Sequence, residues 1–407
     1  MLLYVRVLIH SMKFVPYHKR NIKYYLKRAY LEERGMNLDL ISNSIIEHFK
    51  FRYITENDKK LLNLVLKDNV SQEELDLFLE DWDIEEEGGH KALMLSNFMK
   101  VHSDLKYPQY IEPRLKGLLN YYRFRNITLM AHFKKICTKL KESGVNILIL
   151  KGGAMRYYRP EFPRFMGDID ILVRSKEEYE IAKNITEKLG YRATEYSHSV
   201  DLYEPNSDTG VMDIHHKLDM ISEKETFIIN DLFARAENKE VFNVNGIDVP
   251  CCEDMVFILL INLIKNLMRI TSYASVLHSI IDCKYLTNLK SDFDWNIIKQ
   301  NAIKTGTEDQ IYLAIKFLNE FLPQKIPTMF ENEFNEKSIS YLYNEWFIKK
   351  LRKKSHSLQI KEIFQKFIKD LTYYMKFRSQ YIMYKRKTIS NNSKLAKIVL
   401  EKQHLVK

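Results

Sequence analysis

The stretch ILILKGGAMRYYRPEFPRFMGDIDILV, residues 147–173, decides the fold of this chain. It combines an apolar strand, a turn with two glycines and a segment in which aspartates alternate with isoleucines. Successive side chains of a β-strand point to opposite faces, so Asp168 and Asp170 leave one face while Ile169 and Ile171 pack behind them. Two carboxylates on one strand face are typical of a site for a divalent cation such as Mg²⁺, which prefers oxygen ligands.

Gly152 and Gly153 lie between the apolar strand and a predicted helix. Their backbone N–H groups can approach phosphate oxygens closely because no Cβ intervenes, and a helix N-terminus attracts anions. Lys151 either pairs with a phosphate or is solvated at the strand end. Arg164 either neutralises a triphosphate or forms a loop salt bridge with Glu161. The turn therefore predicts a nucleotide-binding segment beside the cation site.

A third acidic residue follows in VMDIHHKL, where Asp213 and His215 share one strand face. Together with Asp168 and Asp170, Asp213 forms a workable site for two ions, Mg²⁺ or Mn²⁺, in which all three carboxylates are metal-binding and catalytic. Asp213 would bind the ion that activates an attacking hydroxyl or would act as its general base. His215 is a candidate to orient Asp213 or to contact the nucleotide, and a histidine bonded to the backbone is the alternative.

Length and local patterns predict several units along the 407 residues. Ser71 and Glu74 form a capping-box pattern, and apolar spacing predicts a long helix over 114–143. Two β-hairpins are predicted, one pairing 200–204 with 211–218 and one turning at Asn245 and Gly246.

The predicted fold class is α+β, with a small mixed β-sheet core flanked by helical regions. We expect an N-terminal helical region at 1–112, a core at 113–252, a C-terminal helical region at 253–335 and a basic helical tail at 336–407.

The net charge of +10 is concentrated in the predicted tail, which holds 18 Lys and Arg against 5 Asp and Glu. Such a tail could contact nucleic acid through nonspecific electrostatics, or form the solvated faces of amphipathic helices.

The four cysteines show no zinc spacing, which favours a reduced, cytoplasmic protein. The apolar run at 1–10 is too short to span a bilayer, so we expect no membrane span.

The order of motifs resembles one known family. LKGG at 150–153, RFMGDIDILV at 164–173, Leu-Gly-Tyr at 189–191 and MDIH at 212–215 are similar to the uncharacterised bacterial nucleotidyltransferase family of the DNA polymerase β-like nucleotidyltransferase superfamily. On this resemblance Gly152 and Gly153 contact phosphates, and Asp168, Asp170 and Asp213 hold the metals. It implies transfer of a nucleoside monophosphate from a nucleoside triphosphate, such as ATP, to a hydroxyl or phosphate acceptor, with release of pyrophosphate (EC 2.7.7 type).

Two other functions are compatible with the sequence. A glycosyltransferase also uses a D-x-D pair to hold a metal-bound sugar nucleotide, although the LKGG turn and the third acid argue against it. A nucleic-acid or partner-binding protein on a transferase-like core would use the basic tail, although the presence of all three carboxylates argues against a decayed site. The acceptor stays open between tRNA, a small molecule and a protein or peptide hydroxyl.

Overall fold

The computed structural model describes residues 46, 54–84, 88–160, 164–205, 209–218, 225–268 and 273–322. The predicted basic tail at 336–407 lies outside the described residues, as does nearly all of the N-terminal segment before residue 54. The helices and strands below belong to one of the two compact units of the chain, the unit that contains Tyr53–Pro327. The predicted boundaries between the helical regions and the core stay predictions.

Four helices lie before the sheet within the described ranges: α1 (Glu56–Val65), α2 (Gln72–Glu80), α3 (Gly88–Val101) and α4 (Glu112–Glu142). The predicted capping box is confirmed at α2, where Ser71 Oγ accepts a hydrogen bond from the Glu74 N–H at 3.2 Å and the Ser71 N–H donates to Glu74 Oε2 at 2.9 Å. The long predicted helix is α4. It ends just before Gly144, whose φ of +78° is a left-handed conformation that glycine adopts without strain.

Seven strands form one mixed sheet in the order β3-β4-β5-β2-β1-β7-β6. Their bounds are β1 (Ile147–Ile149), β2 (Ile169–Val173), β3 (Arg192–Glu195), β4 (Ser199–Tyr203), β5 (Gly210–His215), β6 (Glu237–Val241) and β7 (Val244–Val249). β1 and β2 are antiparallel neighbours at the centre and are buried along their whole length. β2 runs parallel to β5 and β1 runs parallel to β7, whereas β3 and β6 form the edges. The predicted mixed sheet and α+β class are confirmed.

One predicted turn is wrong by three residues. The β6–β7 hairpin turns at Phe242 and Asn243, both with positive φ (51° and 60°), and not at Asn245 and Gly246. Positive φ at both central residues is the pattern of a type I′ turn, whose twist matches that of the flanking strands. Gly246 lies inside β7 with a φ of +77°, where the register of the hairpin shifts. The Asn-Gly pair therefore forms a β-bulge and not the turn.

Helices cover the sheet and complete the core. Those between the strands are α5 (Lys151–Tyr158), α6 (Lys176–Lys188) and α7 (Ile229–Arg235), and those after β7 are α8 (Cys252–Met268), α9 (Tyr273–Leu289), α10 (Trp295–Thr305) and α11 (Glu308–Asn319). α8 is apolar on nearly every side because it contacts α5, α9, α10 and α11. Within the part of the chain that is described, none of the helices combines the length and apolarity needed to cross a bilayer.

Candidate active site

Two central parallel strands bring acidic side chains together. Asp170 of β2 is in register with Asp213 of β5, and neighbouring strands lie only about 4.8 Å apart. His215, two residues further along β5, places its Nε2 3.0 Å from Asp170 Oδ1. One potential ligand atom from each of these three residues lies within 4.8 Å of the other two. This Asp170–Asp213–His215 cluster could hold a metal ion.

Lys151 is the cationic partner of the cluster. Its ammonium group forms an ion pair with Asp170 Oδ1, and the charge of Asp170 raises the pKa of this lysine although burial lowers it. Lys151 begins α5 with a φ of +44°, which is uncommon for a residue with a Cβ. Such a left-handed residue costs about 1–2 kcal/mol, so the surrounding contacts must hold it in place.

The carboxylates differ in how easily they ionise. For Asp170, burial is opposed by the charge of Lys151 and by the hydrogen bond with His215, and together these lower its pKa below the ordinary value. For Asp213, burial and the negative charges of Asp168 and Asp170 raise the pKa strongly. When all of these carboxylates are ionised, they carry more negative charge than Lys151 offsets. A divalent cation would supply the missing positive charge, so the donor set fits such an ion.

Asp168 lies next to this cluster, just before the first residue of β2. It is half-buried, and burial followed by the charge of Asp170 raises its pKa to about 6. The structure therefore brings the three predicted carboxylates into one electrostatic cluster. Asp168 is more exposed than Asp170, which is 7% exposed.

The glycine pair forms the first turn of α5. Gly153 packs so closely on the sheet that a Cβ there would lie 2.8 Å from Ile149 Cδ1 and 3.2 Å from Ile169 Cγ2. The first N–H that bonds back along the helix is that of Ala154, which donates to Leu150 O at 3.2 Å. The amides of residues 151–153 are therefore the first-turn amides of α5, the kind to which anions bind, and Gly152 and Gly153 themselves are buried.

Arg164 lies beneath this turn. Its Nη1 would be 2.8 Å from a Cβ at Gly152, so the glycine allows the guanidinium to approach the helix. Nε of Arg164 donates to Asp282 Oδ2 of α9 at 2.8 Å, and both side chains are largely buried. The sequence suggested Glu161 as its salt-bridge partner, and that residue lies outside the described ranges. Arg164 stays a predicted nucleotide-binding residue, held in place by a helix 118 residues away.

Sequence reasoning missed a fourth carboxylate, Asp201 of β4. Asp201 is directly opposite Asp213 in the antiparallel β4–β5 pair, so Asp170, Asp213 and Asp201 form a row across three strands. Burial raises the pKa of Asp201, against hydrogen bonds with Asp213 and Tyr196 that lower it. The signal in the sequence was the predicted hairpin itself, which placed both aspartates on paired strands without fixing their register.

Two residues of helix α4 that the sequence did not single out form hydrogen bonds with the segment just before β2. Arg125 Nη2 donates to the carbonyls of Gly167 at 2.8 Å and Gly210 at 2.6 Å, which ties the residue before Asp168 to the start of β5. Asn126 accepts a hydrogen bond from the Met166 N–H at 3.3 Å. No local sequence pattern announces these contacts, because they join residues that are 40 or more positions apart.

Three comparisons with known proteins bear on the family of this chain. No curated protein matches the sequence. The solved structures with some similarity include the antibiotic-resistance factor ANT(2'')-Ia in solution, which is 12% identical, with a TM-score of 0.31, over 48% of this chain and 98% of that one. The sequence model of a family described as uncharacterised nucleotidyltransferase matches residues 89–323, more than half of the chain. These residues include the glycine turn and all the carboxylates described above, and the chain therefore belongs to this nucleotidyltransferase family.

Proposed function

We propose that the protein is a metal-dependent nucleotidyltransferase of EC 2.7.7 type. It moves a nucleoside monophosphate from a nucleoside triphosphate, such as ATP, to an acceptor and releases pyrophosphate. The observation that carries this proposal is the convergence of Asp170, Asp213 and His215 beside Lys151 and the first turn of α5. Carboxylates for metal ions and amides for phosphates thus adjoin each other, as nucleotidyl transfer requires.

In the reaction, an acceptor hydroxyl oxygen forms a bond to the α-phosphorus while the bond from that phosphorus to the bridging oxygen of the β-phosphate breaks. The electron pair of that bond leaves with pyrophosphate, and the hydroxyl proton is lost to solvent. The amides of residues 151–153 donate to the phosphate oxygens, and Lys151 adds a positive charge beside them. These groups hold the triphosphate in one orientation, which favours in-line attack.

Asp168, Asp170 and Asp213 would hold divalent cations, Mg²⁺ or Mn²⁺, for which carboxylates are the preferred protein ligands. A bound ion supplies charge neutralisation of the phosphates. Imidazole is not a preferred ligand of these ions, so we assign His215 to orient Asp170 through their 3.0 Å hydrogen bond. Arg164 supports the glycine turn from below and adds positive charge near the phosphates.

The proposal extends to the protein's surroundings in the cell. We place the transferase core at residues 113–252 between helical regions, with the basic tail at 336–407 as a candidate contact for nucleic acid. A cytoplasmic location agrees with the supply of nucleoside triphosphates. The acceptor classes considered are tRNA, a small molecule and a protein or peptide hydroxyl.

The test is label transfer by the full chain. The protein is incubated with Mg²⁺, a cell extract and each of the four nucleoside triphosphates labelled at the α-phosphate. We expect label to enter an acceptor with wild type and to be lost with Asp168→Ala and Asp170→Ala. Asp248→Asn is the control, because Asp248 lies on β7 in the same sheet and, among the described residues, accepts a side-chain hydrogen bond from the exposed Asn238. Retained transfer in both alanine variants would contradict the proposed metal site. A glycosyltransferase would instead release a nucleoside diphosphate from a labelled sugar nucleotide and would transfer no nucleoside monophosphate from a triphosphate.

A further inference from the structure

The strand order places Asp201 at one end of a row of three carboxylates. Asp170 on β2, Asp213 on β5 and Asp201 on β4 are in register on consecutive strands. With strands about 4.8 Å apart, Asp201 lies about 10 Å across the sheet from Asp170. Asp201 is half-buried, and its carboxylate takes part in hydrogen bonds with Asp213 and Tyr196.

The groups that would hold the triphosphate lie at the other end of this row. α5 follows directly from β1, and β1 lies next to β2 on the side away from β5. Lys151, the first residue of α5, forms its ion pair with this row at Asp170. If the triphosphate binds at the first turn of α5, the pyrophosphate leaves from the β1 side of the site. In-line displacement then requires the attacking oxygen to enter from the β5–β4 side.

We infer that Asp201 is an acceptor-contact residue, whose carboxylate accepts a hydrogen bond from the hydroxyl that attacks the α-phosphorus. This inference rests on the proposed nucleotidyl transfer. It separates the four carboxylates by role, with Asp168, Asp170 and Asp213 on the metal side and Asp201 on the acceptor side. Tyr196 hydrogen-bonds Asp201, and the ring of His215 on the paired strand stacks on that of His198.

The same arrangement restricts the chemistry of the acceptor. Asp201 lies beside Asp213 in a row of carboxylates, and the lysine that pairs with this row, Lys151, bonds Asp170 at the other end. A phosphate group beside Asp201 would be repelled by the negative charge of these carboxylates. The acceptor group that enters here is therefore a hydroxyl on a neutral or cationic molecule. Among the acceptors proposed above, this selects the small molecule and the protein or peptide over tRNA.

The experiment compares Asp201→Asn with wild type, Asp170→Asn and the control Asp248→Asn, all in the full chain. The first measurements are Mn²⁺ binding in the absence of nucleotide, and the triphosphate concentration that gives half-maximal label transfer. The third is the amount of cell extract that gives half-maximal transfer in a dilution series, which reports acceptor binding before the acceptor is identified. Asp201→Ser serves as a second variant, and thermal unfolding shows that each variant is folded.

We expect Asp201→Asn to bind Mn²⁺ like wild type and to need a similar triphosphate concentration. The extract needed should rise about 10- to 100-fold, which is the loss expected for one hydrogen bond to a charged group. Asp170→Asn should instead lose Mn²⁺ binding, and Asp248→Asn should change none of the three readouts. The labelled product should survive ribonuclease and deoxyribonuclease.

Other outcomes would overturn the inference. An unchanged extract requirement in both Asp201 variants would remove its contact with the acceptor, and loss of Mn²⁺ binding would make it a metal ligand. A nuclease-sensitive product would contradict the restriction to neutral or cationic acceptors. If wild type transfers no label with any triphosphate, it is the proposed function that fails, and the role of Asp201 fails with it.

Discussion

Replacing Gly153 with alanine tests how closely α5 packs on the sheet. The new Cβ would lie 2.8 and 2.9 Å from Cδ1 and Cγ1 of Ile149 and 3.2 Å from Cγ2 of Ile169. Both isoleucines are fully buried, so neither can rotate away into free space. Overpacking of this kind costs about 1–3 kcal/mol.

The matched control is Gly117→Ala, at an exposed position in the second turn of α4, where a Cβ would meet nothing within 4 Å. An alanine in a helix is favoured over glycine by about 1 kcal/mol, so this control should be stabilised. Because both variants replace a helical glycine with alanine, the difference between their free energies of unfolding in urea reports mainly the overpacking cost of about 1–3 kcal/mol. We expect Gly153→Ala also to reduce label transfer, since α5 must shift relative to Asp170. Equal stabilisation of both variants would refute the reasoning.

Two further predictions concern Asp282 and His278, two buried residues of α9 that interact with Arg164. Asp282→Asn leaves the guanidinium of Arg164 without its carboxylate. Because both side chains are largely buried, we expect the free energy of unfolding in urea to fall by about 3–5 kcal/mol. A fall below about 1 kcal/mol would contradict a buried ion pair. His278 is buried, and burial followed by the charges of Arg164 and His90 holds its pKa well below the ordinary 6.5. The unfolded chain therefore binds the proton first, so the stability of wild type should fall as the pH drops below about 6.5, by up to about 1.4 kcal/mol per pH unit. His278→Gln should lack this part of the loss when unfolding is measured at pH 7 and pH 5, and an unchanged pH dependence would contradict the assignment.

The local signals of the sequence predicted the centre of the fold well. The alternation around Asp170 predicted β2, and the glycine pair marked the start of α5. The capping-box pattern at Ser71 and Glu74 predicted the start of α2 because both hydrogen bonds join residues only three positions apart. Each of these features depends on neighbours in the chain, so the sequence contains all the information needed.

The fourth carboxylate depended on strand register, which the sequence does not reveal. The β4–β5 pair shifts register between Leu202 and Tyr203, and this shift places Asp201 opposite Asp213. Without the bulge, Asp201 would pair with Met212. The side chains of Asp201 and Asp213 would then lie on opposite faces of the sheet. The hydrogen bonds of Arg125 were equally hidden, because they join positions 42 and 85 residues apart.

The two edge strands bear on how this protein behaves at high concentration. β3 has the sequence RATE and β6 has the sequence ENKEV, so charged side chains occupy both margins of the sheet. Charges on an exposed edge discourage backbone pairing with a strand from another molecule. The charges on β3 and β6 therefore disfavour aggregation through continued strand addition at these two edges of the described sheet.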